Sequence, residues 1–394
     1  MKKYLFDLAL MMMGASLFTS CLNNDNNDNT PQKVTVTSGA FIINNGQKNK
    51  NNGSLTFFDY QSESATTTLV GGSGLGDTPN DACLMGDTIF VVGSTDNMIF
   101  LVNRKSLNMI DYVSTTELMG EAEGYSPRAI TSFNNKLYFT TYGTPDTNGG
   151  YVAELNPKTL QVERKFKVGS APEGLAFGGT SSEVYLYVCN SDFAHGGGSI
   201  SKINMATGAV DEIKNEKVQN PQKLFVIGEV LYVLDWGHYT DDYSQQLDAG
   251  LYCVADGSAS LLVKDATDAD NVVIYVNGQA VGYEIITFNY PYGSTTATYS
   301  KFNTYTGQTT SLVLSGDSNY KIESPSAIGV DPLSGNIIIA SRTINKDTGY
   351  ADYTMPGFAN MYTNSGQYIE GSHFETGIEP HKIGFTLDQT VVSY

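Results

Sequence analysis

Four histidines, a few clusters of acids and an excess of tyrosine are the side chains of this 394-residue chain that could do chemistry. His195, His238, His373 and His381 form no His-x-x-x-His or His-Glu pattern of the kind that places two metal ligands on one face. No Gly-x-Ser-x-Gly elbow is present. Gly71-Gly72-Ser73-Gly74-Leu75-Gly76 has the glycine content of a phosphate loop, but neither a lysine nor a helix follows, so it reads as a connection. Asp241-Asp242 and the acids of 265–270 lack the ordered spacing of a calcium loop and read as acidic surface turns. The sequence therefore offers no catalytic constellation, no metal set and no catalytic cofactor. The aromatics are more informative. Tyr125, Tyr142, Phe193, His195, Trp236, His238, Tyr239, Tyr243, Tyr290, Tyr292, Tyr350 and Tyr353 lie in stretches otherwise built of Gly, Asp, Asn, Ser and Thr. Aromatic faces gain nothing by facing water. Either they pack loop on loop, or they form a surface for a wide ligand, with hydroxyls to orient it. As a set they favour the surface.

The elements that must carry these loops follow from a repeat. Pro, one polar residue, then alternating apolar positions recur at Pro79-Asn80, Pro127-Arg128, Pro172-Glu173, Pro221-Gln222, Pro325-Ser326 and Pro380-His381. Asp270-Asn271, with Val273 and Tyr275 on the apolar places, fills the gap between the fourth and the next. Seven starts about 45–55 residues apart match the period of propeller blades. Each start leads through four short β-branched and aromatic runs separated by turn residues, such as Asn156-Pro157-Lys158-Thr159 and Asn204-Met205-Ala206-Thr207-Gly208. No segment carries a helical period over ten residues or more. The sequence thus predicts an all-β, seven-bladed propeller of four-stranded antiparallel blades, with six or eight blades as alternatives. Its closing blade should be a composite, with the tail from 378 to 394 joining N-terminal strands near 40–44, 54–60 and 66–70.

In such blades the turns between first and second strands, and between third and fourth, share one face. Here these are short. The connections on the other face are long: 142–150, 190–198, 235–250, 289–295 and 341–357. Long loops on a rigid scaffold are where function concentrates. The polar residue after each landmark should ring the mouth of the central channel: Asn80, Arg128, Glu173, Gln222, Asn271, Ser326 and His381. This ring either orders channel water or touches a ligand, Arg128 being the cation that would meet a phosphate or carboxylate.

Residues 1–20 carry a basic start at Lys2 and Lys3 and a short apolar run, the pattern of an export signal. Leu17-Phe18-Thr19-Ser20-Cys21 resembles a bacterial lipobox, which implies cleavage before Cys21 and its acylation. The Asn- and Asp-rich segment that follows reads as a flexible tether over 21–33, leaving 34–394 as the propeller. It resembles the surface-export signal of Bacteroidota lipoproteins, which implies a cell-surface protein on the outer membrane, held there by lipid alone. The formal net charge of -18 disfavours nucleic acid and anionic lipid surfaces. Cys83, Cys189 and Cys253 are an odd set in apolar strand runs, read as buried core thiols without a disulfide.

The run of Pro, short strand and turn, then Val-Tyr-Leu-Tyr-Val-Cys-Asn, a loop and Ser-Lys-Ile-Asn-Met-Ala-Thr-Gly resembles the YncE-like propellers across 34–394. Lipidation, acidity and abundant tyrosine make the chain similar to the BtuG-type cobalamin-capturing lipoproteins of Bacteroidota. That resemblance implies capture of cobalamin or another corrinoid and its delivery to a BtuB-like TonB-dependent outer-membrane transporter. A propeller hydrolase or lactonase, and a surface glycan-binding protein, remain the competing readings.

Overall fold

The computed structural model describes residues 32–72, 74–191, 197–290, 294 and 296–392. Seven four-stranded antiparallel sheets are arranged as blades, with one extra two-stranded ribbon, His238–Tyr239 with Gln246–Leu247. Six blades are read straight along the chain from their inner strands: Pro79–Met85, Pro127–Phe133, Pro172–Gly179, Pro221–Ile227, Asp268–Val276 and Pro325–Val330. We number them 1 to 6. Blade 7 is the composite: Pro380–Val392 is its inner strand, and Gln32–Asn44, Ser54–Asp59 and Ser64–Thr68 follow outward. The tail supplies one strand and the head three. The head strand begins at Gln32, ahead of the expected boundary at 34, because the alternation through Val34 and Val36 continues into pairing with the tail.

Local chemistry explains the landmarks. Every proline of the repeat is the first residue of an inner strand, where its missing N–H costs no ladder bond. For Pro79, Pro172, Pro221 and Pro380 the ring also packs on a glycine of the preceding blade: a Cβ on Gly150 would lie 2.3 Å from Pro172 Cδ, and one on Gly198 would lie 2.7 Å from Pro221 Cδ. The turns on the short-loop face repeat one device. Asn103, Asn156, Asn204 and Asn303 each accept backbone N–H groups two and three residues ahead, which closes the turn between third and fourth strands.

The fifth start is a correction. Blade 5 begins at Asp268, whose pairing with Phe288 matches that of Asp81 with Val92 and Lys223 with Leu234, so Ala266 and Thr267 stand where the other blades have proline and its polar neighbour, four residues before the expected pair. Asn271 consequently does not line the channel, whereas Asp268 and Asp270 do.

The core is segmented as a ring requires. Seven apolar clusters fill the seven spaces between neighbouring blades, for example Tyr187, Ile200, Leu224 and Val233 between blades 3 and 4. Cys189 is buried there, and Cys83 and Cys253 are partly buried; all three are free thiols. Burial raises the thiol pKa of each, so none is poised as a thiolate.

Candidate functional site

The inner strands converge on an open cavity of about 810 Å³ on the long-loop face. Two rings of residues stand around the channel here, and part of each lines the cavity. The lower ring holds the residues that follow the landmark prolines. The upper ring holds the residue just beyond each second strand: Ser94, Tyr142, Ser191, Trp236, Tyr290 and Arg342 in blades 1 to 6, and Asn45 in blade 7. A recurring bond fixes this upper position. The N–H of Ser94, Tyr142, Ser191, Trp236 and Arg342 donates to the carbonyl of Thr78, Ser126, Ala171, Asn220 and Ser324 in turn. In blade 5 the Tyr290 N–H donates instead to Thr267 Oγ1 at 2.9 Å. Thr78, Ser126 and Ala171 adopt left-handed backbone to present that carbonyl, with φ of 55°, 54° and 48°, a strained conformation held by its surroundings.

Trp236 is the best-anchored aromatic of the rim. Its indole Nε1 donates to Thr267 O of the next blade at 3.0 Å, and Gln246 Nε2 donates to its carbonyl. Beneath it lies a buried knot. The fully buried Asp235 carboxylate accepts from Gly237 N at 2.7 Å and Asn220 N at 3.0 Å, while Ser191 Oγ and Gln222 Nε2 donate to Asn220 Oδ1. Burial raises the Asp235 carboxyl to about 6, against the opposing pull of the Gly237 and Asn220 N–H groups.

The wall below is crowded with charge, and the charges are paired across blade boundaries. Arg128 of blade 2 meets Glu173 of blade 3 at 3.1 Å and donates to Asn80 Oδ1 of blade 1 at 3.0 Å. Tyr142 donates its hydroxyl to the same Glu173, and its ring lies 5.1 Å from the Arg128 guanidinium. Lys223 of blade 4 meets Asp268 of blade 5 at 2.7 Å, and Lys382 of blade 7 meets Asp81 of blade 1 at 2.9 Å. Arg342 of blade 6 makes a forked contact with Glu379 beside blade 7, and the ring of Tyr353 lies 5.3 Å from it. Asp81 and Asp270 also accept backbone N–H groups of the following blade, from Ile130 at 3.0 Å and Val330 at 2.7 Å. Between blades 3 and 4 the backbones approach directly: a Cβ on Gly174 would sit 2.6 Å from Gln222 O. Arg128, expected to meet a phosphate or carboxylate, already has Glu173, Asn80 and Tyr142 around it. Burial, with the nearby Arg128 charge, lowers His381 to about 4, so its imidazole is neutral at pH 7.

Of the residues singled out from sequence, Arg128, Trp236, Tyr239, Tyr290, Tyr350, Tyr353 and His381 line the cavity, and Tyr142 contacts its wall through Glu173. Tyr125, His238 and Tyr243 do not line it. Tyr125 is exposed on a separate loop. His238 turns to Asp248, 3.8 Å away, and Tyr243 sits at the tip of the ribbon, 6.2 Å from Tyr239 between ring centroids. Cys21, Phe193, His195 and Tyr292 lie outside the described residues. Arg342 was not anticipated. Its signal was positional: it occupies the same place in its blade as Tyr142, Trp236 and Tyr290. His373, the remaining described histidine, stacks on Tyr320 at 3.8 Å, away from the cavity. Among the described residues no three His, Cys, Asp or Glu side chains are grouped to hold a metal ion.

No family model matches the chain, and no curated protein matches it. Solved structures do. The chain is similar to a hypothetical selenium-binding protein from Sulfolobus tokodaii, at 9% identity over 91% of this chain and 94% of that one, with TM-score 0.60. It is similar to a candidate 6-phosphogluconolactonase from Bacteroides uniformis, at 11% identity over 89% and 100%, with TM-score 0.57. A protein from Lactobacillus plantarum matches at 12% identity over 89% and 100%, with TM-score 0.50. At such identities the likeness speaks for fold alone. By its strand order, its composite closure and these likenesses, the chain is a seven-bladed β-propeller.

Proposed function

We propose that this protein captures a corrinoid, cobalamin or a relative, in the long-loop cavity without turning it over, and passes it to a BtuB-like TonB-dependent outer-membrane transporter. One observation carries the reading: exposed aromatic faces, Trp236, Tyr239, Tyr350 and Tyr353, stand around an open cavity whose cationic groups are already paired. A corrinoid is a wide, partly apolar ring edged with amides. Aromatic faces would cover the ring, and the polar wall would bond its amides. The cavity holds part of such a ligand and leaves the rest to the rim loops. Acylation at Cys21 and display on the cell surface belong to the same proposal, supported by the lipobox-like run.

Titration calorimetry with cyanocobalamin tests the reading, with the fluorescence of Trp236 as a second readout. Saturable heat and a change in emission support it; absence of both at micromolar protein rejects it. The likeness to the candidate lactonase favours a second reading, a hydrolase using Glu173, Tyr142 and His381. Hydrolysis of sugar lactones by the purified protein would support that reading in place of capture.

A further inference from the structure

Among the described residues, four cationic side chains line the cavity, and each is in ion-pair contact with an acid of another blade or of the segment leading into one. An incoming anion would have to break one of these pairs. The displaced carboxylate would then stand in the wall without its partner, which is a strongly unfavourable arrangement. One further acid, Asp270, accepts a backbone N–H and feels the charges of Lys223 and Lys382, while burial raises its carboxyl. Asp81, Glu173, Asp268 and Asp270 line the cavity with the four cations while Glu379 stands behind Arg342, so no cation is left over for an anion, and the neutral His381 adds no positive charge. The long-range field acts in the same direction, since the chain carries a formal net charge of -18.

We infer that the cavity selects its ligand by charge: it accepts neutral or cationic molecules rich in hydrogen-bonding groups and rejects anions, with Glu173 and Glu379 as the residues that hold this specificity. The inference rests on the reading of the cavity as the ligand site. It names the amide groups of a corrinoid as the feature recognised, so conversion of a peripheral amide to a carboxylate is penalised.

Trp236 makes this measurable without any ligand. It is the only tryptophan of the chain and lines the cavity, so its fluorescence reports that space alone. Acrylamide, caesium and iodide are used as neutral, cationic and anionic quenchers at fixed ionic strength, each normalised to free N-acetyltryptophanamide. The expected result is iodide quenching about threefold or more below that of caesium. Glu379→Gln, which releases Arg342, should bring the two closer together; Glu173→Gln, which releases Arg128, is the alternative variant if the first does not fold. Equal normalised quenching by iodide and caesium in the wild type overturns the inference. In a parallel arm, calorimetry compares cyanocobalamin with its monocarboxylate, expected to bind about tenfold more weakly from uncompensated negative charge. Equal affinities also overturn it. If neither corrinoid binds, the corrinoid reading fails, while the quenching result still decides the charge rule.

Discussion

Replacing Asp235 by Asn should change how stability responds to acid, and the size of the change follows from the site. Asp235 is fully buried and titrates at about 6 in the fold against 3.8 as the ordinary value. Its folded pKa is raised, so the native state binds a proton that the unfolded chain does not. This group therefore adds stability as pH falls from above 6 towards 4, and that contribution is lost again as pH rises through 6. Between pH 7.5 and 4.5 only the span below 6 counts, about one and a half units at roughly 1.4 kcal/mol each, or about 2 kcal/mol. The buried His381, lowered to about 4, pulls the opposite way across the same window, because its imidazole must charge in the unfolded chain first. A wild-type curve alone mixes the two; the difference between wild type and Asp235→Asn cancels His381. Urea unfolding at pH 7.5, 6.0 and 4.5, followed by circular dichroism and Trp236 emission, should show the wild-type advantage growing by about 2 kcal/mol on acidification. The variant should also be weaker at pH 7.5, because the Asn amide turns a donor towards the Gly237 or Asn220 N–H. Parallel stability curves for the two proteins would refute the argument that burial controls this carboxyl.

Removing residues 380–392 takes away the inner strand of blade 7 and leaves Gln32–Asn44 without its neighbour, so the truncated chain should lose its cooperative thermal transition; a melt like that of the full chain would contradict ring closure by this strand. Gly174→Ala should cost roughly 1–3 kcal/mol in urea unfolding, because a Cβ there meets Gln222 O in the next blade. Trp236→Ala and Tyr353→Ala should each weaken corrinoid binding by roughly 1–3 kcal/mol in calorimetry, while Lys158→Ala on the short-loop face leaves it unchanged. Cys21→Ala should move the protein from the membrane fraction to the soluble fraction, and its retention in the membrane would count against the acyl anchor.

The landmark prolines made the blades legible because each opens an inner strand, and four of them, Pro79, Pro172, Pro221 and Pro380, also seat against a glycine of the preceding blade. Blade 5 was misread for a reason specific to strands. With Ala266 in place of proline, the pattern slid by four residues, and an even slip keeps every side chain on its own face. Val273 and Tyr275 therefore satisfied the alternation as well as the correct pair would have. The pairing of Arg128 was invisible because Glu173 is 45 residues away and meets it only after two blades dock. Arg342 escaped notice because the loops were searched for aromatics, whereas the shared feature of the upper ring is a place in the blade. His238 and Tyr243 do not line the cavity, because His238 turns to Asp248 and Tyr243 sits at the tip of the ribbon.

The composite blade also gives the molecule a direction. Asn44 pairs with Pro380 beside the cavity, and Gln32 pairs with Val392 at the far end of the same two strands. The chain that precedes Gln32 therefore leaves from the side opposite the mouth. A propeller held through Cys21 would stand like a cup on a stem, its mouth open to the medium. The eleven residues 21–31 reach at most about 40 Å when fully extended, so handing cargo to a transporter lying in the plane of the support requires the cup to tip over on that short leash. Lengthening or stiffening the stem then becomes a way to separate catching a ligand from delivering it.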